Sequence, residues 1–115
     1  MALYHKDLGF PKGFNSKVGT RFLTYSQHAK LSAINDRYGR IDLPVSVNTN
    51  TALCIEAEIA NKAVTKLVYR VSYNNTLDLV LVVMPKGAQF IVKTVWLNLK
   101  SDKHTTLDLS KYEAA

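Results

Sequence analysis

A chain of 115 residues with 47% hydrophobic content is the length of one domain, able to bury roughly two thirds of its unfolded surface. No run approaches the roughly 20 apolar residues of a membrane span, and the opening MALYHKDLGF lacks an apolar signal region, so a cytoplasmic protein without membrane contact is expected. Lys plus Arg number 15 against 9 Asp plus Glu, a net charge of +6; this makes RNA or another polyanion a natural partner, although such a charge also serves solubility alone.

Residues 1–21 mix Gly and Pro with basic residues and show no sustained periodicity, so they read as an irregular basic arm preceding one domain over 22–115. Lys12, Lys17 and Arg21 would meet phosphates there, and the interleaved Tyr4, Phe10 and Phe14 would suit base stacking. In YSQHAKLSAINDRYG, Ser26 is the expected N-cap and Gly39 the expected C′ residue of a helix of about three turns, with Leu31, Ile34 and Tyr38 as its buried stripe. His28 and Arg37 project from different sides of that helix.

RIDLPVSVNTNT reads as an extended or turning segment, and ALCIEAEIAN as a strand in preference to a helix. Cys54, the single cysteine, lies within that apolar run and is expected to be a buried thiol. TKLVYRVSY alternates, with Leu67, Tyr69, Val71 and Tyr73 on one face and Lys66, Val68, Arg70 and Ser72 on the other. NN makes a turn, LDLVLVVM a central strand, PKGA a turn, and QFIVKTVWLNL a last strand whose apolar residues, Trp96 among them, suit both faces of a core. The expected fold class is α+β, one or two helices packed on an antiparallel sheet of three to four strands. The closing TTLDLSKY keeps Leu107, Leu109 and Tyr112 as apolar anchors, which predicts a tail folded back over the sheet.

The chain has no glycine-rich phosphate loop, no H-E-x-x-H and no C-x-x-C, and its histidines lack ligand spacing, so neither a metal nor a cofactor is expected. Imidazole, guanidinium and phenol remain, a set suited to cleaving RNA without metal: one group takes the 2′-OH proton, another protonates the leaving oxygen and a cation steadies the phosphorane. His28 and His104 are the candidate acid and base, with Arg70 and Lys66 on phosphate and Arg37 as a further nucleic-acid contact. Each has a structural alternative. His28 would cap the helix, His104 would bond Asp102 or Asp108, and Arg70 would pair with Glu56 or Glu58 across the sheet.

YSQHAKLSAINDRYGRI, followed by the meander LVYRVSY, LVLVVM and FIVKTVWLNL, resembles small domains that open with an H-A dipeptide on a helix and an R-G-I turn. Those domains are thought to share the fold of barnase and of the RelE-type and colicin-type ribonuclease toxins, and VWLN with DKHTTLDLSKY resembles the ends of short phage proteins. The resemblance implies a phage-encoded, toxin-like ribonuclease or RNA binder. The family tends to place arginines four and eight residues after its histidine, where this chain has Ser32 and Asp36. A different class of function fits the same surface: a non-enzymatic protein that binds and blocks a host or cognate protein or nucleic acid, as a monomer or a homodimer joined along a strand edge.

Overall fold

The computed structural model describes residues 2–11, 19–102 and 110–113. Seven strands form one mixed sheet in the order β1-β4-β5-β6-β7-β2-β3. They are β1 (Ala2–His5), β2 (Thr20–Tyr25), β3 (Ser46–Asn48), β4 (Leu53–Ala60), β5 (Ala63–Ser72), β6 (Leu77–Lys86) and β7 (Gln89–Leu99), and the helix among the described residues is α1 (Gln27–Ile34). This corrects the expected α+β fold class: the described residues are mostly sheet, with one two-turn helix in place of one or two packed helices, and seven strands in place of three to four. The meander β4-β5-β6-β7 is antiparallel and matches the sequence pattern.

The additions are short strands recruited to its two flanks. β1, inside the segment read as an irregular arm, pairs antiparallel with β4. β2 runs parallel to β7, through Phe22 opposite Gln89 to Tyr25 opposite Val92, and β3 pairs antiparallel with β2. Strands of three to six residues carry little periodic signal of their own; their stability comes from partners far away in the chain.

Turn chemistry sets the meander's register. Asn61 and Lys62 both adopt positive φ, 52° and 64°, in the two-residue link from Ala60 to Ala63, the geometry of a type I′ hairpin whose twist matches its strands. Asn74 Oδ1 accepts from the backbone N–H groups of Thr76 and Leu77 and so builds the next turn from its own side chain.

Three extra residues bend the sheet. The pairing jumps from Cys54–Tyr69 to Glu56–Val68, leaving Ile55 as a bulge, from Glu58–Lys66 to Ile59–Val64, leaving Thr65, and from Val82–Thr94 to Val83–Val92, leaving Lys93. Such bulges raise the local twist and curl a sheet. The curled face encloses the main core, in which Leu67, Tyr69, Leu79, Leu81 and Val83 of the meander meet Val47 of β3, Cys54 of β4 and Ala29 and Ala33 of α1. Phe10 of the arm packs against this core as well, so its ring belongs to the fold and not to a stacking platform.

Ser26 switches the chain from strand to helix. Its N–H donates to Val92 O at 3.0 Å, extending the β2–β7 ladder, and its Oγ accepts from Ala29 N at 3.1 Å, the expected N-cap. The helix stripe differs from expectation: Leu31, Ile34 and Tyr38 are exposed, while Ala29 and Ala33 are buried. Small side chains four residues apart let the helix backbone sit close against β7. Asn35 caps the helix, well before Gly39, which takes φ 108° in the turn beyond. Asp36 Oδ1 then accepts from Leu97 N at 3.1 Å, using the edge of β7 beyond the reach of β2.

Cys54 is buried, as its apolar run implies, and that burial pushes its thiol up to about 12. Native protein at pH 8 is expected to react with a maleimide or disulfide reagent at least tenfold more slowly than urea-unfolded protein, and equal rates would contradict the packing.

Candidate functional site: a basic groove on the outer face of the sheet

The alternation of β5 and β6 that sends Leu67, Tyr69, Leu79 and Leu81 inward sends Lys66, Val68, Arg70, Asp78, Val80 and Val82 to the opposite face. A small second cluster of Ile55, Val68, Val80 and Val82 forms there. It floors an open groove of about 400 Å³, walled by Trp96 and Asn98 of β7, Glu56 of β4, Arg37 beyond the helix and Lys111 and Tyr112 of the tail. Asp78 offsets Arg70 and Glu56 offsets Lys66, which leaves Arg37 and Lys111 against Asp102, so the groove is net cationic.

The end of the tail is fastened to this face. Tyr112 is buried, its hydroxyl donates to Glu56 Oε1, and its ring lies 5.0 Å from that of His5. Burial first, and then the Glu56 carboxylate, hold the phenol of Tyr112 well above its ordinary range. Glu113 N donates to Leu3 O at 2.7 Å, which occupies an outward backbone acceptor of edge strand β1. Tyr112 therefore serves as the anchor its sequence context suggested; Leu107 and Leu109 lie outside the described residues.

Arg70 is 7% exposed and serves the sheet. Its Nε donates to Asp78 Oδ2 at 2.7 Å and its Nη2 to Leu99 O at 2.6 Å, tying β5 to β6 and to the end of β7. Its Nη1 is buried with no hydrogen-bond partner among the described residues. Arg70 makes a cross-strand ion pair, but with Asp78 and not with the expected Glu56 or Glu58; Glu56 pairs with Lys66 and Glu58 accepts from Thr65. Asp78 also accepts from Lys100 Nζ at 2.7 Å. Burial raises the Asp78 carboxyl, but the hydrogen bonds from Lys100 and Arg70 outweigh it and hold the group below its ordinary value.

The remaining candidates divide. Lys66 and Arg37 both line the groove; Lys66 Nζ lies 3.0 Å from Glu56 Oε2, and the Arg37 guanidinium sits 4.8 Å from the centroid of the Tyr38 ring. His28 is exposed on α1 and is not among the groove-lining residues; its Nε2 is 3.5 Å from Ser32 Oγ. Arg21 pairs in register with core residue Val47, on the face of β2 that carries Leu23 and Tyr25. His104, Lys12 and Lys17 lie outside the described residues.

Trp96 and Lys111 are groove residues that the sequence reading missed. Trp96, expected in the core, is 39% exposed. The bulge at Lys93 shifts the alternation by one, so that Val95 and Leu97 turn inward with Phe90 and Val92, and Trp96 turns outward. The signal in the sequence is faint: V-W-L-N alternates only if the count restarts after Lys93. Among the described residues no group of three or more His, Cys, Asp and Glu side chains is placed to hold a metal ion, and no helix is long and apolar enough to cross a membrane. No family model, curated protein or solved structure matches the chain.

Proposed function

We propose that the protein binds RNA, in the cytoplasm, by laying a single strand along the groove of the outer sheet face. The observation that carries this reading is the juxtaposition, in one open groove, of cationic side chains with the exposed indole of Trp96. Cations that track a phosphate backbone, together with an aromatic ring on which a base can stack, make the chemistry of sequence-tolerant single-strand binding. The paired-histidine cleavage expected from sequence lacks comparable support, because His28 stands off the groove and the buried Arg70 is engaged with Asp78 and Leu99.

If Arg37, Lys66 and Lys111 each meet one phosphate of a single strand, about two counterions are released. The affinity for a labelled single-stranded RNA of about ten nucleotides is then expected to fall roughly twentyfold between about 50 and 200 mM salt. Arg37→Glu, at an exposed position, is expected to weaken binding further and to flatten that salt slope. Binding that ignores salt would sink the reading, and absence of binding at about 50 mM salt would leave a protein-binding role as the survivor. RNA cut by the parent protein, and spared by His28→Ala, would restore the nuclease reading.

A further inference from the structure

Trp96 stands at the boundary of two hollows. One is the basic groove; the other lies under the end of α1 and is lined by Ser32, Asn35, Asp36 and Arg37. A tryptophan 39% exposed on the stretch of β7 that β2 does not reach leaves apolar surface in water, at a cost of roughly 25 cal/mol for each Å². Most polar groups of the second hollow are already engaged. Asp36 accepts from Leu97 N through one carboxylate oxygen and from Tyr38 N through the other. Ser32 Oγ lies 3.4 Å from Thr94 Oγ1 and 3.5 Å from His28 Nε2. The side-chain carboxamide of Asn35 has no such engagement among the described residues, and it is exposed. The Asp36–Leu97 bond ties the chain between Asn35 and Arg37 to the strand that carries the indole.

Resting on the groove as the RNA site, we propose that Trp96 stacks one base of the bound strand, that Arg37 takes the phosphate beside it, and that Asn35 reads that base's hydrogen-bonding edge in the second hollow. A carboxamide offers a donor and an acceptor side by side, both of which the edge of a base can use, whereas a phosphate would use the donor alone. The protein would then combine charge-driven grip along the groove with a preference at a single nucleotide position.

Trp96 is the one tryptophan of the chain, so its fluorescence reports on this contact directly. The probes are the four ten-nucleotide homo-oligoribonucleotides and an abasic ribose-phosphate oligomer of equal charge. The oligonucleotides are expected to quench the emission and the abasic oligomer to bind without quenching. Trp96→Ala should weaken oligonucleotide binding about tenfold or more, and Trp96→Phe should weaken it less. Asn35→Ala should compress the differences in affinity among the four oligonucleotides while leaving the abasic oligomer unaffected. Thermal unfolding midpoints near the parent's will show that the variants fold, as expected for exposed positions. Oligonucleotides that bind without quenching, and as tightly to Trp96→Ala, overturn the stacking role and leave the groove reading standing. If neither the oligonucleotides nor the abasic oligomer bind, both fall together.

Discussion

Arg70→Ala is expected to destabilise the protein by about 3 kcal/mol, measured as a shift of the urea unfolding midpoint at unchanged slope. The guanidinium is buried between strands, and three separate strands depend on it: its own β5, β6 through Asp78, and β7 through the Leu99 carbonyl. Alanine leaves that carbonyl without its donor and Asp78 with one cation fewer. Lys100, which also donates to Asp78, keeps the loss at the lower end of the roughly 3–5 kcal/mol typical of a broken buried pair. The double variant Arg70→Leu with Asp78→Leu is expected to recover a large part of the loss, because much of the cost is the stranded polar group and not the lost attraction. A double variant as unstable as Arg70→Ala would assign the loss to packing and to the Leu99 carbonyl, which both variants leave without its donor.

The same pair sets an acid limit. Asp78 titrates below its ordinary value of 3.8 in the folded protein. Its contribution is therefore complete above that value and is lost as pH falls through the lower folded pKa. Asp78→Asn should remove this portion of the acid destabilisation, giving a shallower fall in stability below about pH 4 than the parent shows.

Tyr69→Ala is expected to cost about 3–5 kcal/mol, whereas Trp96→Ala should cost about 1–2 kcal/mol, although both remove a large aromatic ring from one sheet. Tyr69 is 0% exposed and stacks on Phe90 with ring centroids 5.7 Å apart. Its removal opens a cavity in the curled face, where neighbouring strands hold the walls apart. Trp96 lies on the other side of the same sheet, where water fills the space a truncation leaves. Thermal or urea unfolding of the two variants checks this directly: equal losses would mean that the outer face is packed, and the groove would lose its open indole.

What the sequence determined is the meander. Thr65–Tyr73 declares its strand by alternation, the next two strands show as apolar runs, and the turns between them show as Asn74-Asn75 and Gly87; those signals are local, since the pleat repeats every two residues and an Asn side chain builds its turn within three. Ser26 declared the start of the helix for the same reason, since an N-cap is satisfied by its own next residues. The burial of Cys54 and the anchoring of Tyr112 were also legible, as apolar residues in segments that otherwise had no reason to carry them.

Tertiary structure decided the rest. Nothing local marks Ala2–His5 or Ser46–Asn48 as strands, because their ladders are completed by β4 and β2 and not by neighbours in sequence. Nothing local shows that Ala29 and Ala33 are the buried helix positions, since helical spacing favours Leu31, Ile34 and Tyr38 until the close approach of β7 selects the smaller side chains. The bulge at Lys93 is the sharpest case. One residue without a partner reverses which side of the sheet each later side chain occupies, and that reversal took Trp96 out of the core and set it beside Arg37 at the groove.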